Sequence, residues 1–210
     1  MARSLPDIIY STNYNNHEVD SPKSMFKLQF NKSTEYFEDY ESLVKFIKQT
    51  EKNVRRSLRY KHYIKYLKEI VKLNKCQVLR NVTDEDASIH MHHGPIFTLY
   101  DICAIVLEYF LIKGWKINTA TVADAVLKEH EANRVQVVML SASVHEQVHN
   151  GELFINRHQA WGDIESFTRK YWSAISPDYR EQLNKYIDRS ALYDSNDFGV
   201  FELNPDLTSK

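Results

Sequence analysis

Five of the nine histidines fall in two short clusters, and imidazole nitrogens are common ligands of divalent metal ions. The first cluster contains His90, His92 and His93, and the second contains His145 and His149. The spacing of the second pair predicts two imidazoles one turn apart on the same face of a helix, close enough to share one ion. Because two ligands rarely hold a divalent ion well, we expect a third from the first cluster.

The adjacent histidines of the first cluster are expected to differ in role. A strand places neighbouring side chains on opposite faces, so His92 and His93 cannot both face the ion. One would bind the ion, and the other would activate a water molecule, because neutral imidazole titrates near the working pH. Together with an open coordination position, this arrangement suits metal-assisted hydrolysis of phosphodiester bonds.

The elements that must position these residues are predicted from hydrophobic periodicity and from turn and capping signals. The fold class is α+β and mostly helical, since glycine is scarce and helical patterns dominate. Short strands are expected at Met25–Phe30, Cys76–Arg80, Ser88–His92, Val135–Leu140 and Leu153–Ile155. Helices are expected at about Phe37–Leu73, Thr98–Lys113, Thr119–Ala132, Val144–His149, Ile164–Ser173 and Tyr179–Arg189.

These elements divide the chain into five regions. A metal-binding core over 76–155 contains a helical insertion at 97–132. It follows an irregular arm (1–24) and a basic, mostly helical region (25–75), and it precedes C-terminal helices (156–193) and a polar tail (194–210).

The stretches Ser88–Ile96 and Val135–Gly151 resemble the HNH (ββα-metal) nuclease family, most closely the His-His form found in nuclease bacteriocins. The family pattern is a strand that ends in His-His with a proline soon after, a strand that carries an asparagine, and a helix with His-x-x-x-His and a nearby glycine. The chain departs from this pattern in three ways: two apolar helices separate the motif halves, glutamine replaces the central asparagine, and the cysteine pair of a second zinc site is absent.

This resemblance implies specific roles for the clustered residues. His92, His145 and His149 would be the ligands of one divalent metal ion, whether Mg, Mn, Zn or Ni, and His93 the general base. The central asparagine of the family, which orients the catalytic loop, falls at Gln136, and Asn133, three residues earlier, is the other candidate. The family also suggests a protein encoded by a phage or another mobile element.

The charge distribution indicates a polyanionic partner. Residues 45–75 contain eleven Lys or Arg and two Glu, a balance of +9, which leaves −10 for the rest of a chain whose net charge is −1. Helical spacing aligns the basic residues on one face, where they would contact DNA, or alternatively RNA, in a salt-sensitive manner. A solvated surface explains this face equally well. The candidate nucleic-acid contacts are Lys48, Lys52, Arg55, Arg56, Arg59, Tyr60, Lys61 and Lys65.

Other residues receive simpler interpretations. His130 is interpreted as a cation near a helix end, and His90 as a hydrogen-bonding residue on the solvent face of its strand. Cys76 and Cys103 are expected to be reduced core thiols, and no apolar run reaches the length of a membrane span. We therefore expect a cytoplasmic protein, in a bacterial host if it is phage-encoded, with no organic cofactor.

Three functions are consistent with these features. The first is a metal-dependent HNH-type endonuclease that acts on DNA. The second is a non-catalytic nucleic-acid-binding or phage assembly protein that retains a degenerate HNH fold. The third is a structural protein with one zinc ion that links two elements and no nucleic-acid partner, in which metal removal would cause unfolding.

Overall fold

The computed structural model describes residues 31–79 and 81–193, so the expected arm, the strand at Met25–Phe30 and the polar tail lie outside the described residues. The mostly helical α+β class is confirmed. None of the described helices is long and apolar enough to cross a membrane. In chain order the elements are α1 (Tyr40–Arg56), α2 (Leu58–Glu69), β1 (Ile89–His93), α3 (Leu99–Lys113), α4 (Thr119–Glu131), β2 (Val137–Ser141), α5 (Ala142–His149), α6 (Ile164–Tyr171) and α7 (Pro177–Ser190).

Helices α1, α3 and α4 pack against one another and form the centre of the hydrophobic core. The local sequence explains where the two inserted helices, α3 and α4, begin and end. Thr98 and Asp101 form a capping box at the start of α3, and Asn118 caps α4 by accepting hydrogen bonds from the backbone of Thr121 and Ala120. Gly114 ends α3 with a φ of 63°, a conformation that favours glycine.

The helical pattern expected at Phe37–Leu73 forms two α-helices rather than one. Ser57 interrupts it with an extended backbone, at φ −69° and ψ 146°. Its hydroxyl oxygen then accepts a hydrogen bond from the backbone N–H of Tyr60 at 3.1 Å, which satisfies one of the free donors at the start of α2. The capping bond of Ser57 thus supports a change of chain direction between two helices that share a hydrophobic pattern.

The sheet consists of β1 and β2, paired antiparallel with His92 opposite Val138 and Ile89 opposite Ser141. All five residues of β2 are buried, as expected for a short apolar strand rich in valine. The inserted helices α3 and α4 separate the two strands in sequence, and α5 begins directly after β2. Two paired strands followed by a helix therefore bring both histidine clusters to the same end of the structure.

Two expected strands do not form. No strand forms at Cys76–Arg80, whose last residue is not described. Gln77 alone bonds to β2 there. Its backbone N–H donates to the carbonyl of Met139 at 2.8 Å, and its side-chain oxygen accepts from the N–H of Met139 at 2.6 Å. Trp161 exchanges two backbone hydrogen bonds with Val137. Phe154 and Ile155 lie in an irregular segment. Single residues thus satisfy the backbone groups of β2 that additional strands would otherwise pair.

Candidate metal centre

Three histidines from two elements converge at one point on the surface. His92 extends from β1, while His145 and His149 lie one turn apart on α5. One ligand nitrogen from each of the three lies within 4.8 Å of the other two. The three residues expected to bind the ion are therefore brought together.

The separation of the helical imidazoles fits a shared ion. The Nε2 atoms of His145 and His149 are 3.2 Å apart. Two nitrogens that bind one tetrahedral zinc ion at about 2.0–2.1 Å are separated by about 3.3 Å. The same pair can instead share one N–H···N hydrogen bond, so binding of an ion would replace that proton with little movement.

The environment of His92 and His145 favours the neutral form of both imidazoles. Burial, and then the charges of His145, His149 and Arg55, lower the pKa of His92 to about 4. Burial is also the largest cause of the lowered pKa of His145. The positive charges of His149, His90 and Arg55 lower the pKa of His145 further. A neutral imidazole has the free electron pair that a metal ion requires, so the lowered pKa values of His92 and His145 favour ion binding.

Gly94 leaves the space that the ligand nitrogen of His92 needs. A Cβ atom at position 94 would lie 3.1 Å from Nε2 of His92, and the φ of Gly94 is 144°, which few other residues adopt. The glycine that follows the two adjacent histidines therefore has a steric role next to the cluster.

His93 lies on the opposite face of β1, in the core. Its ring is 5% exposed and stacks on Tyr60 at 6.0 Å between centroids. Nε2 of His93 is 2.9 Å from Nε2 of His130, whose Nδ1 is 2.7 Å from the carbonyl oxygen of Val126. A carbonyl oxygen only accepts, so Nδ1 of His130 carries the proton and His93 donates to its Nε2. The structure does not bring the expected general base to the ion-binding face.

The interpretation of His130 as a helix-end cation is wrong. The residue is fully buried in α4, and burial lowers its pKa to about 4 despite the hydrogen bond to Val126. A buried ring with this pKa is neutral at pH 7. The sequence contained a signal for this position, because His130 follows the buried residues Val122 and Val126 at intervals of four.

The two candidates for the orienting amide, Gln136 and Asn133, differ in their surroundings. Gln136 is buried, and its side-chain oxygen has no hydrogen-bond partner among the described residues. Its backbone carbonyl accepts from the N–H of Gly94 at 3.3 Å, which ties the two sides of the sheet together. Asn133 adopts a φ of 54°, and its carbonyl accepts from Asp163.

The basic residues of α1 and α2 divide into paired and unpaired groups. Arg59 forms ion pairs with Asp124 and Glu131 on α4, so it joins two helices. Tyr60 is buried, which raises its pKa to about 12. Arg55 and Lys65 each pair with a carboxylate on their own helix, and Lys48, Lys52, Arg56 and Lys61 are exposed.

Comparison with known proteins places the chain among phage virion proteins. A family model described as Bacteriophage G278-like virion protein matches residues 4–204. The chain therefore belongs to the G278-like family of bacteriophage virion proteins. No curated protein and no solved structure shows a significant match.

The buried histidines predict an acid-sensitive stability of the metal-free protein. The pKa of His130 falls from an ordinary 6.5 to about 4 on folding, so the unfolded chain binds protons first as the pH decreases. We expect the contribution of His130 to the free energy of unfolding to fall below pH 6.5 and to level off below pH 4. Between pH 7.5 and pH 5, His130 alone should contribute a loss of about 2 kcal/mol, measurable by urea unfolding with EDTA.

The control compares His130→Gln with His62→Gln, since His62 is exposed on α2. The first variant should show a weaker pH dependence than the wild type, and the second should retain it. An unchanged pH dependence in His130→Gln would contradict the assignment of a buried neutral imidazole.

Proposed function

We propose that this protein is a structural component of the phage particle in which one divalent metal ion clips α5 to β1. The observation that carries the proposal is the convergence of His92, His145 and His149 from a strand and a helix. Membership in a family of virion proteins supports a role in the particle.

A structural ion would stabilise the short helix α5. The helix has eight residues, of which Val144 alone is buried, and isolated helices of this length are marginal in water. Two ligands at positions i and i+4 of α5, together with one on β1, would hold the helix against the sheet. The ion would supply stability that apolar packing of α5 does not.

The donor set favours particular metals. Three imidazole nitrogens suit Zn²⁺ or Ni²⁺, whereas Mg²⁺ prefers carboxylate, carbonyl and water oxygens. No carboxylate joins the cluster within the part of the chain that the structure describes. We therefore favour zinc or nickel over magnesium or manganese.

The surroundings of the cluster favour a structural role over turnover. The Nε2 atom of His93 donates to His130 in the core, so it does not face a water molecule at the ion. His90 is the further imidazole beside the cluster, 5.7 Å from the ring of His145, and it hydrogen-bonds to Ser88. The hydrogen-bond partner of His93 is His130 and that of His90 is Ser88, so neither imidazole is oriented by a carboxylate as an activated base would be.

The first test is metal binding by the full chain. We expect one zinc ion per chain by titration calorimetry, and a stabilisation of about 2.7 kcal/mol when free zinc exceeds the dissociation constant a hundredfold. Because two ligands remain, His149→Ala should weaken binding by at least about tenfold and lower this stabilisation to about 1.4 kcal/mol or less at the same free zinc concentration. His62→Ala, on an exposed part of α2, should behave as the wild type. Equal zinc affinity of His149→Ala and wild type would contradict the proposal.

The second candidate function is an HNH-type nuclease. The specific observation in its favour is the order β1, β2, α5, with one histidine from the first strand and two from the helix, as in the resemblance to ββα-metal enzymes. Three ligands also leave coordination positions open, and an ion there would polarise a phosphate oxygen. This function requires His93 to leave the core or another base to replace it.

A plasmid assay distinguishes the two functions. We expect no nicking of supercoiled DNA by the purified protein with Zn²⁺, Ni²⁺, Mn²⁺ or Mg²⁺, since His93, the expected base, lies in the core. Nicking that persists through purification and disappears in His149→Ala and His93→Ala would instead establish the nuclease and assign the base. Loss in His149→Ala and His90→Ala, with His93→Ala active, would assign His90.

A further inference from the structure

We propose that the lysine stripe of α1, defined as Lys45, Lys48 and Lys52, binds the phosphate backbone of duplex DNA. All three residues are exposed on one helix and lie at intervals of three and four, so they share a face. This inference is independent of the metal clip.

The structure separates these lysines from the other basic residues nearby. Arg59 is held by two carboxylates of α4, and Arg55 by Glu51. Within the described residues, by contrast, no carboxylate lies within ion-pair distance of any member of the lysine stripe. Their charges are therefore available to a partner without the cost of breaking an existing pair.

The spacing of the lysine stripe suits a nucleic-acid strand. Lys45 and Lys52 are about 10 Å apart along the helix axis, at about 1.5 Å per residue. One DNA strand presents a phosphate about every 3.4 Å along its axis, so this length corresponds to about three phosphates. A shallow groove of about 510 Å³ runs along the same face between Tyr40 and Lys52.

The aromatic residues near the stripe indicate contact with the backbone rather than with bases. Tyr60 and Tyr63, which lie among the basic residues of α2, are 5% and 4% exposed, whereas Tyr40, which lines the groove beside the lysine stripe, is 76% exposed. Proteins that bind single strands need exposed aromatic rings on which bases stack. Tyr40 is the one aromatic residue among those that line the groove, and a single ring cannot stack successive bases. Charge contacts with a duplex are therefore favoured, and these carry little sequence information.

The test measures the salt dependence of DNA binding. The dissociation constant of the full chain for a labelled 30-base-pair duplex is determined by fluorescence anisotropy between 50 and 200 mM NaCl, with EDTA present. Each phosphate contact contributes about 0.9 to the slope of log K against log salt. The variant Lys45→Gln/Lys48→Gln/Lys52→Gln should lower this slope by about 2.7 relative to the wild type. All three positions are exposed, so circular dichroism should show an unchanged fold.

The matched control removes the same charge elsewhere. The variant Lys113→Gln/Lys128→Gln/Lys185→Gln changes exposed lysines on α3, α4 and α7, and should retain the wild-type slope. An equal decrease in both triple variants would overturn the proposal, because net charge alone would then explain binding. Absence of salt-dependent binding by the wild type would also overturn it. Binding of poly-glutamate with the same affinity and slope as DNA would assign the stripe to an acidic protein partner instead.

Discussion

The alternation of side chains along β1 determines both the candidate metal site and part of the core. Because adjacent residues of a strand face opposite sides, His92 faces α5 while His93 faces α4. Pairing of β1 with β2 then fixes the distance between His92 and the helix that follows β2. A register shift of one residue would exchange the two histidines, burying the surface ligand and exposing the partner of His130.

Different interactions stabilise the two faces of β1. On the inner side, His93 and His130 satisfy each other as neutral rings, beside Tyr60 and Tyr63, so the core is complete without an ion. On the outer side, the short helix α5 has few apolar contacts, and an ion would be its strongest attachment. Metal removal is therefore expected to loosen α5 before it affects the three-helix core.

Much of the helical structure follows from local signals in the sequence. The capping box at Thr98, the glycine at 114 and the cap at Asn118 act within a few residues, so both inserted helices are predictable. The i, i+4 spacing of His145 and His149 is also local, which explains why the candidate ligands were identifiable. The mostly helical fold class followed from the same patterns.

The parts that the sequence did not predict depend on contacts between distant segments. Gln77 satisfies the edge of β2 from 62 residues away with a side-chain amide, and no local pattern distinguishes this from a strand. The burial of Tyr60 depends on its packing against His93, and the availability of each basic residue depends on carboxylates of other elements. Such contacts determined which of the expected nucleic-acid residues remain exposed.

The most direct test of the metal clip is X-ray absorption spectroscopy of the full chain loaded with one equivalent of zinc. The account predicts an absorption fine structure with three imidazole nitrogens at about 2.0–2.1 Å, and two imidazoles in His92→Ala. A spectrum dominated by oxygen ligands, or one unchanged by His92→Ala, would contradict the claim that β1 and α5 share one ion.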